Sequence, residues 1–149
     1  MTKGAGWEAQ LDHWHARYRA AGLADVQRVH PGVRVLGRIA PNGQFRACWA
    51  GEGPVDYLGV LPGGRPVAFD AKSTTSATWS RSVIPAHQVR LLDLWDSLGA
   101  VTGIALRLPT SRWWMPWPEL RGRDKAIQHV GDLERWARPI GPDGWLSCL

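Results

Sequence analysis

The chain has 149 residues, a formal net charge of +5, two cysteines and ten tryptophans, enough for one domain that buries its own core. No stretch of eighteen apolar residues occurs, which excludes a membrane-crossing helix, and the opening MTKGAGWEAQLDHWH lacks the apolar centre of a secretory signal. Cys48 and Cys148 lie far apart and fit no zinc spacing, so the expectation is a reduced, cytoplasmic protein with free thiols.

In chain order, residues 5–21 read as a helix, with Trp7, Leu11, Trp14, Tyr18 and Ala21 forming one apolar stripe and Gly22 stopping it. ADVQRV and GVRVLGRI are valine-rich and alternate, as strands do, and the turn PNG at 41–43 leads into a returning strand, QFRACWA. A second hairpin follows over residues 54–74, with its turn at PGG, 62–64. Pro85 then opens an amphipathic helix, AHQVRLLDLWDSLG, that Gly99 ends. VTGIALRLP is a strand, RWWMPWPEL holds one more short strand before its prolines, and RDKAIQHVGDLERWA reads as a last helix. GWLSCL is either a final strand or a loose tail. With no repeat, low-complexity stretch or linker, the order implies one domain of α/β (α+β) class around a central sheet.

Fifteen of the 18 basic residues are arginines, and six of these fall between Arg17 and Arg46 against one acid, Asp25. Arginine grips phosphate in two places where lysine acts as a point charge. The asymmetry points to a polyanion, nucleic acid foremost, although a solvated basic face has the same composition.

The second hairpin, PVDYLGVLPGGRPVAFDAKST, carries charge inside apolar strands. With the turn centred on Gly63, Val60 pairs with Pro66 and Asp56 lands opposite Asp70, their side chains on one face. A period of two brings Lys72 to that face and sends Val67 and Phe69 to the other. Directly opposed like charges repel. A divalent cation between them reverses the sign, and carboxylate oxygens, with the Ala71 backbone carbonyl as a further ligand, are what magnesium prefers. Lys72 is placed to hold or polarise a water. A lone D-x-K means little, and a one-residue slip would turn Asp56 away; the combined pattern of acid, tight turn and FDAK is more specific. Glu8 flanks the apolar stripe of the first helix, where it is either a ligand or a glutamate favoured by the helix dipole. Gln88 shares the core-facing side of its helix with Leu91, Leu92 and Trp95 and is either a satisfied core amide or a ligand to water or phosphate. Neighbouring His87 is structural or contacts DNA. Trp7, Trp14 and Trp95 are packing residues. Trp113, Trp114 and Trp117 suit core or dimer packing better than stacking on bases.

An acid followed after thirteen residues by D-x-K on a hairpin, between a glutamate-bearing helix and a second helix, resembles the PD-(D/E)xK nuclease core, and within it the RecU-type Holliday junction resolvases. The segments carrying the likeness are GWEAQLDHWHARYRAAGLADVQRVHP, VDYLGVLPGGRPVAFDAKST, IPAHQVRLLDLWDSLGAVTGIALRL and WARPIG, spanning most of the chain in order. The resemblance implies a restriction-endonuclease-like core, a central mixed β-sheet flanked by helices. It implies that Asp56 and Asp70 bind Mg2+ or Mn2+, that Lys72 orients the attacking water and that Glu8 and Gln88 complete the site. It further implies a homodimer that nicks opposing strands of a four-way DNA junction, leaving 5′-phosphate and 3′-hydroxyl ends. Residues 30–53 stand where the family has a stalk that enters the junction; Arg28, Arg34, Arg38, Arg46 and His87 are the expected DNA contacts. Three departures stand out: Asp70 replaces the usual glutamate, Pro54 and Val55 replace threonines, and the stalk-like segment is short. Two other readings stay open: a restriction-like or repair nuclease acting on duplex or flap DNA, and a non-catalytic DNA-binding module.

Overall fold

A computed structural model of the chain describes residues 5–123 and 127–149. Helix α1 spans Ala5–Ala20 and buries the stripe Trp7, Leu11, Trp14 and Tyr18. Its end is a hydrogen-bonded reversal: Leu23 N–H donates to the Tyr18 carbonyl at 2.9 Å and Gly22 N–H to that of Arg19 at 3.1 Å. Gly22 sits there at φ +67°, a conformation that a Cβ disfavours.

Strand β1 (Asp25–Arg28) begins the main sheet, and β2 (Val33–Leu36) and β3 (Arg46–Trp49) form a separate two-stranded hairpin around the PNG turn. Strands β4 (Tyr57–Val60) and β5 (Pro66–Ser73) follow, then β6 (Thr78–Ser80), helix α2 (Ala86–Ser97), β7 (Val101–Arg107) and β8 (Arg112–Pro116). The six-stranded sheet has the order β1-β4-β5-β7-β8-β10, where β10 is the two-residue strand Arg138–Pro139. It is mixed: β5 and β7 run parallel, joined by the α2 crossover, and the other neighbours are antiparallel. Gly59 allows β1 to close on β4, since a Cβ there would lie 2.3 Å from the Asp25 carbonyl oxygen.

Alternation along β5 divides the molecule into two cores. Val67 and Phe69 face α1, with Tyr57, Trp114 and Trp145. Ala68 faces the other way, toward Leu92 of α2 and Ile104, Leu106, Trp113 and Trp117. The tryptophans of residues 113–117 are therefore core residues, exposed by no more than 5 %.

Two expectations fail at the C-terminal end. Residues 123–137 do not form one helix. Of that stretch, 124–126 lie outside the described residues, while Ile127–His129 is strand β9, paired with β6, and Val130–Leu133 is a single turn, α4. Pairing with β6 holds 127–129 extended, and the His129 N–H is capped by Asp132 Oδ2 at 3.4 Å. Helix α3 (Trp117–Arg121) precedes this stretch, beginning directly after Pro116. GWLSCL is neither strand nor tail: Trp145–Cys148 is a 3-10 turn that buries Trp145 completely. Trp145 stacks on Trp114 at 5.0 Å and its Nε1 donates to His15 Nε2 at 2.9 Å. Trp14 Nε1 reaches the Pro142 carbonyl at 3.1 Å, and Tyr18 Oη donates to that of Asp143 at 3.0 Å while accepting from Leu146 N–H at 3.2 Å. The end of the chain thus seals α1 onto the sheet. Cys48 and Cys148 are both free thiols.

Candidate active site

The β4–β5 hairpin keeps the expected register, with Val60 opposite Pro66 and Tyr57 opposite Phe69. One step beyond the ladder, Asp56 comes opposite Asp70, near enough for its charge to act on that carboxyl. Asp70 is fully buried, whereas Asp56 is half-buried at the end of the ladder. Asp56 Oδ2 accepts the Ala71 N–H at 2.9 Å. The N–H and C=O of one strand residue point to the same edge, so the Ala71 carbonyl lies on the Asp56 side of β5.

Two residues from α2 and β5 surround Asp70. Gln88 Nε2 donates to Asp70 Oδ1 at 2.8 Å, and the Lys72 ammonium pairs with Asp70 Oδ2. Lys72 Nζ also donates to Gln88 Oε1 at 3.4 Å. Gln88 is therefore the satisfied amide, spending both ends on the acid and the base. The network leaves a charge conflict: two carboxyls meet one ammonium. Burial, then the neighbouring Asp56 carboxylate, push the Asp70 carboxyl up to about 7 against the opposing pull of Lys72.

Glu8 is not drawn into this cluster. Its Oε2 accepts from Arg28 Nη1 at 2.8 Å, and Arg28 Nη2 donates to Asp12 Oδ2 at 2.7 Å. Tyr57 Oη donates to Asp12 Oδ1 at 3.0 Å, and the Arg28 guanidinium lies 5.8 Å from the Tyr57 ring centre. Sequence reading missed Asp12 and Tyr57 in this network, although acids four apart on α1 are a visible sign of a shared partner. Among the described residues, no three His, Cys, Asp or Glu side chains converge as a metal group. The oxygen donors on the Asp70 face are Asp56, Asp70 and the Ala71 carbonyl. Two carboxylates and a backbone oxygen fit a hard cation that keeps several waters, and a cation relieves the conflict between the acids.

The remaining expected contacts fall in two places. His87, at the start of α2, holds Glu52 Oε2 through Nδ1 at 3.0 Å, tying the base of the β2–β3 hairpin to the helix that carries Gln88. Arg34 and Arg46 share one face of that hairpin with Leu36 and Cys48, while Val33, Val35, Ala47 and Trp49 make the other face. Arg38 lies between the two strands, and all three arginines are exposed.

Comparisons with known proteins bear on the fold and the family. A sequence search of curated proteins returned no match. Among solved structures, the chain is similar to a Holliday junction resolvase, Hjc, from Archaeoglobus fulgidus, an archaeal hyperthermophile. The two are 16 % identical with a TM-score of 0.52, covering 86 % of this chain and 92 % of the other, a likeness of fold. The family model for RecU, described as Recombination protein U, matches residues 2–111. The chain belongs to the RecU family of Holliday junction resolvases, a family of nucleases.

Proposed function

We propose that this chain is a divalent-cation-dependent endonuclease that resolves four-way DNA junctions by nicking opposing strands. The observation that carries the proposal is the convergence of Asp56 and Asp70 beside a single ammonium, Lys72. Asp56, Asp70 and the Ala71 carbonyl would hold magnesium or manganese, with Glu8 as a further ligand once it leaves Arg28. A cation held there supplies Lewis acidity toward the phosphate and its leaving oxygen.

The chain's own groups do the rest. Lys72 orients the attacking water and offsets charge building on the phosphate. Gln88 fixes both Lys72 and Asp70, so that neither turns as the phosphate arrives. Water oxygen bonds to phosphorus, the bond from phosphorus to the 3′ oxygen breaks, and a proton reaches that oxygen, leaving 5′-phosphate and 3′-hydroxyl ends.

Residues 1–149 act as one nuclease domain, with residues 30–53 as a short, stalk-like DNA arm. The arm belongs to no part of the main sheet and exposes Arg34, Arg38 and Arg46; together with Arg28 and His87 they form the proposed DNA-contacting set. Such contacts place phosphates and read branching more than sequence. Symmetric nicking needs two copies, and Leu94 of α2, Leu98 just after it and Val60 of β4, exposed by 57 %, 74 % and 51 %, are apolar side chains open to a second chain. Purified protein given magnesium on a fixed four-way junction and on matched linear duplex tests the proposal. Paired nicks on the junction alone are expected. Equal cutting of duplex turns the reading to a general nuclease, and binding without cutting, with either metal, to a binding module.

A further inference from the structure

The structure holds Glu8 in a clamp. Glu8 and Asp12 stand one turn apart on α1, and the Arg28 guanidinium divides its fork between them, at 2.8 and 2.7 Å. Arg28 lies on β1 directly opposite Tyr57 of β4. The Tyr57 ring lies beside the guanidinium, and its hydroxyl holds the other oxygen of Asp12. Arg28 therefore has Asp12 and Tyr57 to keep it in place. Glu8 is different: among the described residues, Arg28 is the single hydrogen-bond partner of its carboxylate. The asymmetry gives the clamp a direction, because Glu8 can leave while Arg28 stays charge-paired.

Tyr57 follows Asp56 in the chain, so the clamp and the acid pair lie on opposite sides of the same strand end. The Val29 N–H donates to the Asp56 carbonyl at 2.7 Å, linking the end of β1 to that point. The Glu8 side chain remains 35 % exposed in its ion pair. Partial contact with water weakens the pair, and a divalent cation concentrates more charge than a guanidinium on one carboxylate.

We propose that Arg28 competes with the divalent cation for the Glu8 carboxylate, so that the Glu8–Arg28–Asp12 clamp sets how readily the site loads. The proposal rests on the reading of Asp56 and Asp70 as a cation site with Glu8 as its further ligand. Arg28 is a positioning residue in this scheme. Asp12 is its resting partner: by keeping Arg28 charge-paired it lowers the cost of releasing Glu8.

Manganese binding measured by calorimetry on the protein without DNA tests the clamp, with thermal melting alongside. Arg28→Met tightens binding, about two- to fivefold if a weak, exposed pair is what the cation displaces. Asp12→Asn loosens it by a similar factor, because Arg28 then has only Glu8 to hold. In a Glu8→Gln background both changes lose their effect on affinity. A purely structural Arg28 lowers the melting temperature and leaves manganese affinity unchanged, an outcome that overturns the clamp while leaving the cation site standing. No manganese uptake by the wild type overturns both. If Arg28→Met does not fold, Asp12→Asn decides alone: affinity equal to or tighter than wild type overturns the proposal.

Discussion

The two sides of the β4–β5 hairpin solve the same electrostatic problem in opposite ways. On the α1 side, Glu8 and Asp12 share one arginine whose two ends satisfy them, with a tyrosine hydroxyl on the remaining Asp12 oxygen. On the α2 side, Asp56 and Asp70 face each other with one lysine, and Asp70 is buried completely. A cluster whose hydrogen bonds are answered stabilises. One that keeps two acids together in low dielectric costs stability and marks a candidate functional site. Acidic residues alone do not mark the site; the mismatch between charge and partner does.

The sharpest way to break this contrast is Asp70→Asn. Cleavage of a four-way junction should fall by about a thousandfold or more, since the proposed buried cation ligand is lost, while junction binding stays within a few-fold. Retained cleavage would place the chemistry elsewhere. The same variant should melt no lower than wild type without metal, because the repulsion goes with the charge; magnesium should raise the melting temperature of wild type alone. Lys72→Met should slow single-turnover cleavage by about a hundredfold, at the lower end of what a positioned proton-handling group contributes.

The α1 side answers to acid instead. His15 accepts the Trp145 N–H in the core, and burial, with the Arg19 and Arg28 charges against the pull of Asp12, lowers its pKa from 6.5 to about 4. The unfolded chain binds a proton near pH 6.5 that the folded chain refuses until about pH 4. Stability is therefore full above pH 6.5 and declines as pH falls through that window, by roughly 3 kcal/mol at its end. Denaturant melts of wild type and His15→Gln across the window check this, and parallel curves would rule out His15. The smallest effect belongs to Tyr57→Phe. It should cost about 1 kcal/mol of stability and leave the cleavage rate at saturating cation unchanged; a large loss of rate would give Tyr57 a part in the chemistry itself.

Legibility in the sequence followed the range of the forces involved. The pairing of Asp56 with Asp70 could be read because a tight turn fixes register by counting, and α1 and α2 because their apolar stripes repeat every three to four residues. Gln88 was placed on the correct face, but nothing local says that its amide will bridge an acid and a base. The clamp was hidden because Arg28 meets Glu8 only after β1 has docked beside β4. The region after Arg121 was misread for a related reason. Its helix-like spacing is overruled by pairing with Thr78–Ser80, a strand of three residues too short to announce itself. Trp145 belongs to the α1 core through partners 130 residues distant in sequence, such as His15.

That last arrangement has a consequence for how the protein is made. Helix α1 is synthesised before the segment that seals it, so Trp14, His15 and Tyr18 wait for Pro142, Asp143, Trp145 and Leu146 before their hydrogen bonds close. Until residues 142–146 have emerged, the tryptophan-lined face of that helix lacks these partners. The nascent chain is then obliged to hold that apolar surface open while the 130 residues between His15 and Trp145 are made, and a ribosome stalled within that stretch would present it to chaperones and proteases.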